Sequence, residues 1–346
     1  MLRNNCKISL DNFIQESLFH KQRGYYMKKN PIGKDGDFIT APNISILFSE
    51  MIALWIFSFW KKLNYPKKIN IIEMGGGNGE MIFQIIKTLK KFDLFTNCSN
   101  FMILDKSPSL IQLQKNKLKG FKVSWKKNLK NIPEFPTIFI ANEFFDAFPV
   151  KQFFKNNNVW YEKYIDKKGE NFTFCKKKVE KKYIEKLIEE KIKKTDFFIE
   201  FSPQGLNSLK EISKIIKKQN GGLLIIDYGY NKNKMFDSLQ GLKKHKKANI
   251  LENLYDCDIT HLLNFPFYKK KLKKYKLDSI KFTSQREFLF KMGIIERASI
   301  ISKNLSLASK MDIYYRIKRL TDKNQMGSLF KVLFATKKYN KFNLGF

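Results

Sequence analysis

The chain has 346 residues, 43% of them hydrophobic and 15% aromatic, which excludes a disordered protein and is enough to bury a full core. Its formal net charge is +34, from 66 basic against 32 acidic residues, yet only six of the 66 are arginine. The lysines are spread among isoleucine, asparagine and phenylalanine, the mixture an AT-rich genome encodes, so a solvated lysine surface competes with a nucleic-acid surface as the reading of that charge.

Cys6, Cys98, Cys175 and Cys257 form no C-x-x-C pair, and His20, His245 and His261 are scattered, so neither a metal site nor a disulfide scaffold is expected. A reducing compartment fits. Residues 1–13 carry Asp11 and no long apolar run, unlike a signal or transit peptide, and a cytoplasmic location is the expectation. The most apolar stretch, 44–60, is short of the ~20 residues a span needs. It also contains Ser45, Ser49, Glu50 and Ser58, so a buried helix is expected there rather than a membrane span.

In chain order, 10–20 reads as a helix leading into Arg23-Gly24-Tyr25-Tyr26. The turn-rich segment Gly36-Asp37-Phe38-Ile39-Thr40-Ala41-Pro42 is either a connector or a loop whose Asp37 and Thr40 close over a ligand. Asn43 or Ser45 can cap the helix that follows.

The stretch 69–80 then reads strand, tight turn, helix: Ile69-Asn70-Ile71-Ile72-Glu73-Met74-Gly75-Gly76-Gly77-Asn78-Gly79-Glu80. This opens a doubly wound α/β sheet. A dinucleotide fingerprint would need glycine at position 80, where Glu80 stands, and a phosphate loop would need Gly-Lys-Ser/Thr. The pattern present is E-x-G-x-G-x-G. Glu73 at the strand end repels a pyrophosphate but pairs with an ammonium group, which favours S-adenosylmethionine, a ligand with an α-amino acid and an adenosine.

A second strand at 101–104 ends in Asp105, placed to accept two hydrogen bonds from a ribose diol, or to cap the helix beginning at Ser107-Pro108; the two roles are compatible. A third strand near 121–125 and a fourth at 137–141 follow. The fourth runs into Asn142-Glu143-Phe144-Phe145-Asp146-Ala147-Phe148-Pro149, polar groups at a strand's carboxyl end, where open α/β sheets bind ligands. Beyond it are expected a β-rich insertion over about 150–195 with a charged helix at 180–194, a helix starting from 197–203, and a fifth core strand at 223–227. A lysine-rich, irregular insertion over 231–282 contains Asp258-Ile259-Thr260-His261 and suits a substrate region or lid. Helices over 284–323 and a strand at 328–336 close the chain. The expected organisation is one domain: a cap at about 1–66, a core at about 67–150, 195–230 and 325–338, and the two insertions.

The ordered set Gly24-Tyr25-Tyr26, Gly36-Asp37-Phe38-Ile39-Thr40-Ala41-Pro42, Glu73-x-Gly75-x-Gly77-x-Gly79, Asn142 to Pro149, Ser202-Pro203, Ile226-Asp227-Tyr228-Gly229 and Met326-Gly327 resembles the MidA family of S-adenosylmethionine-dependent methyltransferases. That family includes the mitochondrial arginine methyltransferase needed for assembly of respiratory complex I. The likeness runs from about residue 8 to the end. Gly76 and Asn78 stand where relatives often have Pro and Arg, and Asp105 where Glu is usual.

The resemblance implies a Rossmann-like class I core of seven strands, the last antiparallel, with inserted elements. It implies that Glu73, Gly75, Gly77, Gly79 and Asp105 hold S-adenosylmethionine, with Thr40 a further candidate from the loop before them. If the acceptor is a guanidinium, it arrives charged, and Glu143 and Asp146 are the carboxylates expected to fork onto it while Asn142 holds a neighbouring group. The acceptor implied is a protein, an NADH dehydrogenase subunit. An RNA or DNA methyltransferase, and a non-catalytic assembly factor that keeps the fold, are the alternatives.

Overall fold

The computed structural model describes residues 6–28 and 39–346. Gly36, Asp37 and Phe38 of the expected ligand-closing loop lie outside the described residues. The chain opens with strand β1 (Cys6–Ser9), helix α1 (Leu10–Phe19) and the single turn α2 (Tyr25–Lys28). α1 buries Leu10, Phe13, Ile14, Ser17 and Leu18, the i, i+3, i+4, i+7, i+8 face of one helix.

Two helices, α3 (Ala41–Ile44) and α4 (Ile46–Lys62), complete the N-terminal part. Ser45 caps α4, its Oγ accepting from the Leu47 amide at 3.3 Å. Asn43 instead donates from Nδ2 to Thr40 Oγ1 at 2.8 Å. α4 is apolar nearly all round and lies in the core, and no helix of the described residues is long and apolar enough to cross a membrane.

The central sheet begins with β2 (Ile69–Met74), α5 (Glu80–Leu89), α6 (Asp93–Cys98), β3 (Ser99–Leu104), α7 (Pro108–Lys117), β4 (Val123–Lys126) and β5 (Thr137–Asn142). Every residue of β2 and β5 is buried, as strands covered on both faces require. A second sheet follows from β6 (Lys151–Asn156), β7 (Val159–Lys168), β8 (Asn171–Val179) and, after α8 (Lys181–Ile188), β9 (Phe198–Phe201). The chain returns to the core through α9 (Pro203–Gln219) and β10 (Gly221–Tyr230).

Beyond β10 lies a small sheet of β11 (Gln240–Lys243), β12 (Lys246–Ala248) and β13 (Asp258–Thr260). Then come β14 (Leu263–Asn264), α10 (Phe265–Lys274), β15 (Ser279–Ser284), α11 (Gln285–Lys291), α12 (Ile294–Ser302), α13 (Leu307–Thr321), α14 (Met326–Leu329) and β16 (Phe330–Thr336).

The central sheet runs β15-β16-β10-β5-β2-β3-β4, with β14 also on β10. Neighbours are parallel except β16, which is antiparallel to both β10 and β15. β2 therefore sends its chain outward to β3 and β4, while β5 and β10 build the other side. That reversal is the crevice where such sheets bind ligands, and the ends of β2, β3 and β5 deliver Gly75, Asp105 and Asn142 to it.

Three expectations need correcting. The charged helix at 180–194 stops at Ile188, because Glu189 turns left-handed (φ 51°) and the Ile192 amide is taken by Glu185 Oε1 at 2.9 Å. The segment 198–201 is not the start of a helix but a strand paired antiparallel with β6, so this part of 195–230 belongs to the second sheet. Helix α9 begins only after Ser202, whose Oγ accepts from the Gly205 amide at 2.9 Å, with Pro203 in its first turn. The insertion after β10 ends near 262 rather than 282: α10 packs under the core and β15 is the sheet's edge strand, where Lys281 suits an unpaired border.

Trp55 joins α4 to the far end of the chain. Its ring meets Phe334 at 4.9 Å and Phe342 at 5.6 Å, and its Nε1 donates to the Leu344 carbonyl at 3.2 Å. Trp55→Ala should lower stability by about 3–5 kcal/mol, read as a shift of the urea midpoint, with Trp55→Phe losing much less.

Candidate active site

A cavity of about 870 Å³ lies at the carboxyl ends of β2, β3 and β5, at the large end of the range for small-molecule sites. Its first wall is the glycine turn. Gly75, Gly77 and Gly79 all sit at positive φ (72°, 51° and 81°), a region glycine enters without strain. At Gly75 a Cβ would also fall 2.9 Å from Cδ2 of Phe144, so that aromatic ring lies against bare backbone. Gly75 and Gly77 line the cavity; Gly79 does not, and serves instead as the N-cap of α5, close against Gln114.

Glu73 is buried at the end of β2. Burial, and then the nearby Asp105, push its carboxyl well above the usual range, offset in part by the Ile82 amide in the first turn of α5. Its Oε2 has no hydrogen-bond partner among the described residues. A cationic group entering the cavity would satisfy that oxygen. Asp105 accepts from the Ser107 amide at 3.0 Å through Oδ1 and from Gln114 Nε2 at 2.8 Å through Oδ2, and it lines the cavity, where a carboxylate suits a diol. The cap of α7 is Ser107, not Asp105. Thr40, buried at the start of α3, also lines the cavity. Asn78 ties the glycine turn to α3, donating to Asn43 Oδ1 at 2.8 Å.

Across from this wall stands the turn after β5. Glu143 has φ 48°, a conformation a glutamate adopts only under constraint. Asp227 supplies the constraint: fully buried, its Oδ2 accepts from the amides of Phe144, Phe145 and Asp146 at 3.3, 3.0 and 3.4 Å. Glu143 Oε2 accepts from the Tyr228 hydroxyl at 2.9 Å, and Oε1 from the Ala41 amide at 3.4 Å and Asn142 Nδ2 at 3.3 Å. Burial raises its carboxyl to about 7 despite those three donors.

Asp146 is buried and pushed well upward, first by desolvation and then by Asp227, Glu143 and Asp258. Its Oδ1, like Asn142 Oδ1, is buried without a partner among the described residues. Burial holds His261 down at about 4, so it adds no positive charge here.

Eight of the nine candidate residues thus share one cavity, Gly79 standing behind it. Several partners escaped sequence reasoning. Gln114 is fully buried and holds the site together, donating to the Gly77 carbonyl at 2.9 Å as well as to Asp105, and accepting from Trp125 Nε1 at 2.9 Å. The available signal was a polar residue one turn after Leu110, on the buried face of α7. Tyr26, Tyr228 and Asp258 also line the cavity, brought there from distant parts of the chain.

Residues 51–283 match the model of a family described as S-adenosyl-L-methionine-dependent methyltransferase. The chain belongs to this methyltransferase family. A Caenorhabditis elegans protein named "Protein arginine methyltransferase NDUFAF7 homolog, mitochondrial" is 30% identical over 321 residues, covering 86% of this chain and 75% of the relative. The Xenopus tropicalis "Protein arginine methyltransferase NDUFAF7, mitochondrial" is 24% identical over 358 residues, covering 95% and 82%. The crystal structure of a Burkholderia thailandensis protein bound to S-adenosyl-homocysteine shares the fold, with a TM-score of 0.83 at 20% identity over 98% of this chain and 90% of that one.

S-adenosylmethionine is the cofactor of this methyltransferase, and the residues present fit it: the partnerless Glu73 oxygen suits its ammonium group, Asp105 its ribose hydroxyls, and the bare backbone of the turn its close approach.

Gln114→Leu should weaken S-adenosylmethionine binding about tenfold or more by calorimetry, because Asp105 and the Gly77 carbonyl lose a shared donor. A second expectation concerns pH. A carboxyl raised by folding contributes stability fully below its unfolded value and loses it as pH rises through the folded one. Glu143 passes through that window between 4.5 and about 7. Glu143→Gln should therefore gain stability over the parent by about 2 kcal/mol between pH 4.5 and pH 8 in paired urea titrations, the full displacement being discounted for the side chain's partial exposure.

Proposed function

We propose that this methyltransferase modifies arginine side chains of a protein. The observation that carries the reading is the charge of the cavity: among the described residues, seven acidic side chains and two lysines, Lys106 and Lys127, line it, in a chain of net charge +34. Such a wall attracts a cation and repels a phosphate backbone, which argues against a nucleic-acid acceptor.

The same wall separates arginine from lysine. A lysine needs a free amine to attack, and buried carboxylates keep an ammonium protonated. A guanidinium stays charged up to pH ~12, but its charge can be held on two nitrogens by forked carboxylates while the third keeps its lone pair. S-adenosylmethionine supplies a methyl group on a positively charged sulfur, the electrophile for such a lone pair. The nitrogen that gains the methyl must lose a proton. Glu143, with its carboxyl near 7 and Tyr228 fixing its Oε2, is suited to take it. Asp146 and Asn142, each with a buried oxygen that meets no partner among the described residues, are suited to hold the remaining N–H groups. Phe144 and Phe148, 5.0 Å apart at 84°, help keep that end of the cavity dry.

The reading extends to the acceptor's identity: an NADH dehydrogenase subunit, whose assembly the methylation would support, in the cytoplasm. Its support is the family resemblance carried by the motifs at 24–26 and 142–149, together with relatives named as protein arginine methyltransferases.

Glu143→Gln should retain S-adenosylmethionine binding by calorimetry while methylation of labelled acceptor falls by about a hundredfold or more. Methylation unchanged in that variant removes Glu143 from the chemistry. In the parent, kcat/KM should rise about tenfold per pH unit below about 7 and level above it.

A further inference from the structure

We propose that Asp258 is a third carboxylate of the acceptor site and that, through it, the segment 231–262 sets the enzyme's selectivity for a guanidinium; this rests on the arginine reading above. The alternation of β13 places the residue. Cys257 and Ile259 are buried with Leu10, Phe13 and Val150 in the N-terminal cluster, while Asp258 and Thr260, on the other face of the strand, line the cavity. Asp258 is itself buried.

Two anchors fix its position relative to the turn after β5. β13 pairs with β11 in register, Leu242 opposite Asp258, and the His261 amide just beyond the strand donates to the Asp146 carbonyl at 3.2 Å. The carboxylate and the 143–146 turn are therefore held as one frame. Asp258 also raises the carboxyls of both Glu143 and Asp146, so the three acids share one electrostatic environment.

The acids alone would not define a site. The independent sign of a ligand is Asp146: 4% exposed, lining this cavity, with an Oδ1 that meets no partner among the described residues. Asn142 Oδ1 is in the same state. A guanidinium presents five N–H donors in a plane. Asp258 adds a third carboxylate to the same cavity wall. Tyr26 donates to its Oδ1 at 2.7 Å.

The competing role is a latch, in which the Tyr26–Asp258 contact merely ties the N-terminal part to the insertion. Variants separate the two. Methyl transfer from labelled S-adenosylmethionine to lysate protein is measured with arginine amide as inhibitor and citrulline amide, its uncharged isostere, as control. For Asp258→Asn the inhibition constant of arginine amide should rise about 10- to 100-fold. The citrulline control and S-adenosylmethionine affinity should stay within twofold. Asp258→Glu, which keeps the charge, should recover most of the loss, and Tyr26→Phe should change the constant less than threefold.

An Asp258→Asn enzyme with an unchanged constant overturns the proposal, as does a Tyr26→Phe enzyme showing the same loss, or equal losses in the Asn and Glu variants. Failure of the arginine reading shows separately: acid hydrolysis of protein labelled by the parent enzyme would then yield no methylarginine.

Discussion

One buried carboxylate organises the turn after β5 and, through it, one wall of the crevice. Asp227, at the close of β10, collects three consecutive amides of the turn after β5 and also takes the amide of Tyr228 at 2.9 Å. Those four bonds repay much of the cost of placing an acid in a dry interior, and they hold Glu143 in a backbone conformation it would not otherwise keep. Because β10 and β5 are adjacent and parallel, with Ile226 opposite Asn142, the staple lies beside the turn it secures. The hydroxyl of Tyr228, the next residue, reaches the Glu143 side chain. Sheet register, backbone strain and the orientation of the Glu143 carboxyl are thus one construction.

The charge of the molecule divides in the same way. Most of the described lysines face solvent, while acids converge on the crevice from β2, β3, the β5 turn and β13. A uniform net charge conceals this arrangement, which appears only when folding separates the inner surface from the outer. Desolvation then does the chemical work: it is the largest cause of the upward shifts at Glu73, Asp105, Glu143 and Asp146.

Much of this could be read in the residues alone, for identifiable reasons. The parallel strands are unbroken apolar runs that end in glycine or in polar groups, so β2, β3, β5 and β10 were visible, as were the acids and amides at their tips. Edge elements were not. β15 alternates around Lys281 with half-buried side chains, and β9 is four residues long, so neither carries a strong period. Charge near 180–194 imitates a long helix although nothing in periodicity reports the left-handed turn at Glu189. Within the site, long-range partners were the hidden part. Gln114 is 37 residues from the Gly77 carbonyl it holds, and Tyr26 is 232 residues from Asp258. No local pattern encodes such meetings; they follow from the packing of α7 and from the small sheet that closes over α1.

The division of labour around the crevice has an evolutionary consequence. The residues that fit the methyl donor, Glu73 to Asp105, lie in a single crossover, 73–114, contiguous in the chain and braced by its own glutamine. The opposite bank is the turn after β5, with Asp258 and Thr260 of the 231–262 segment also lining the cavity. Mutations in the 231–262 segment therefore reshape one bank of the crevice while leaving the crossover intact, so the two banks are free to diverge at different rates.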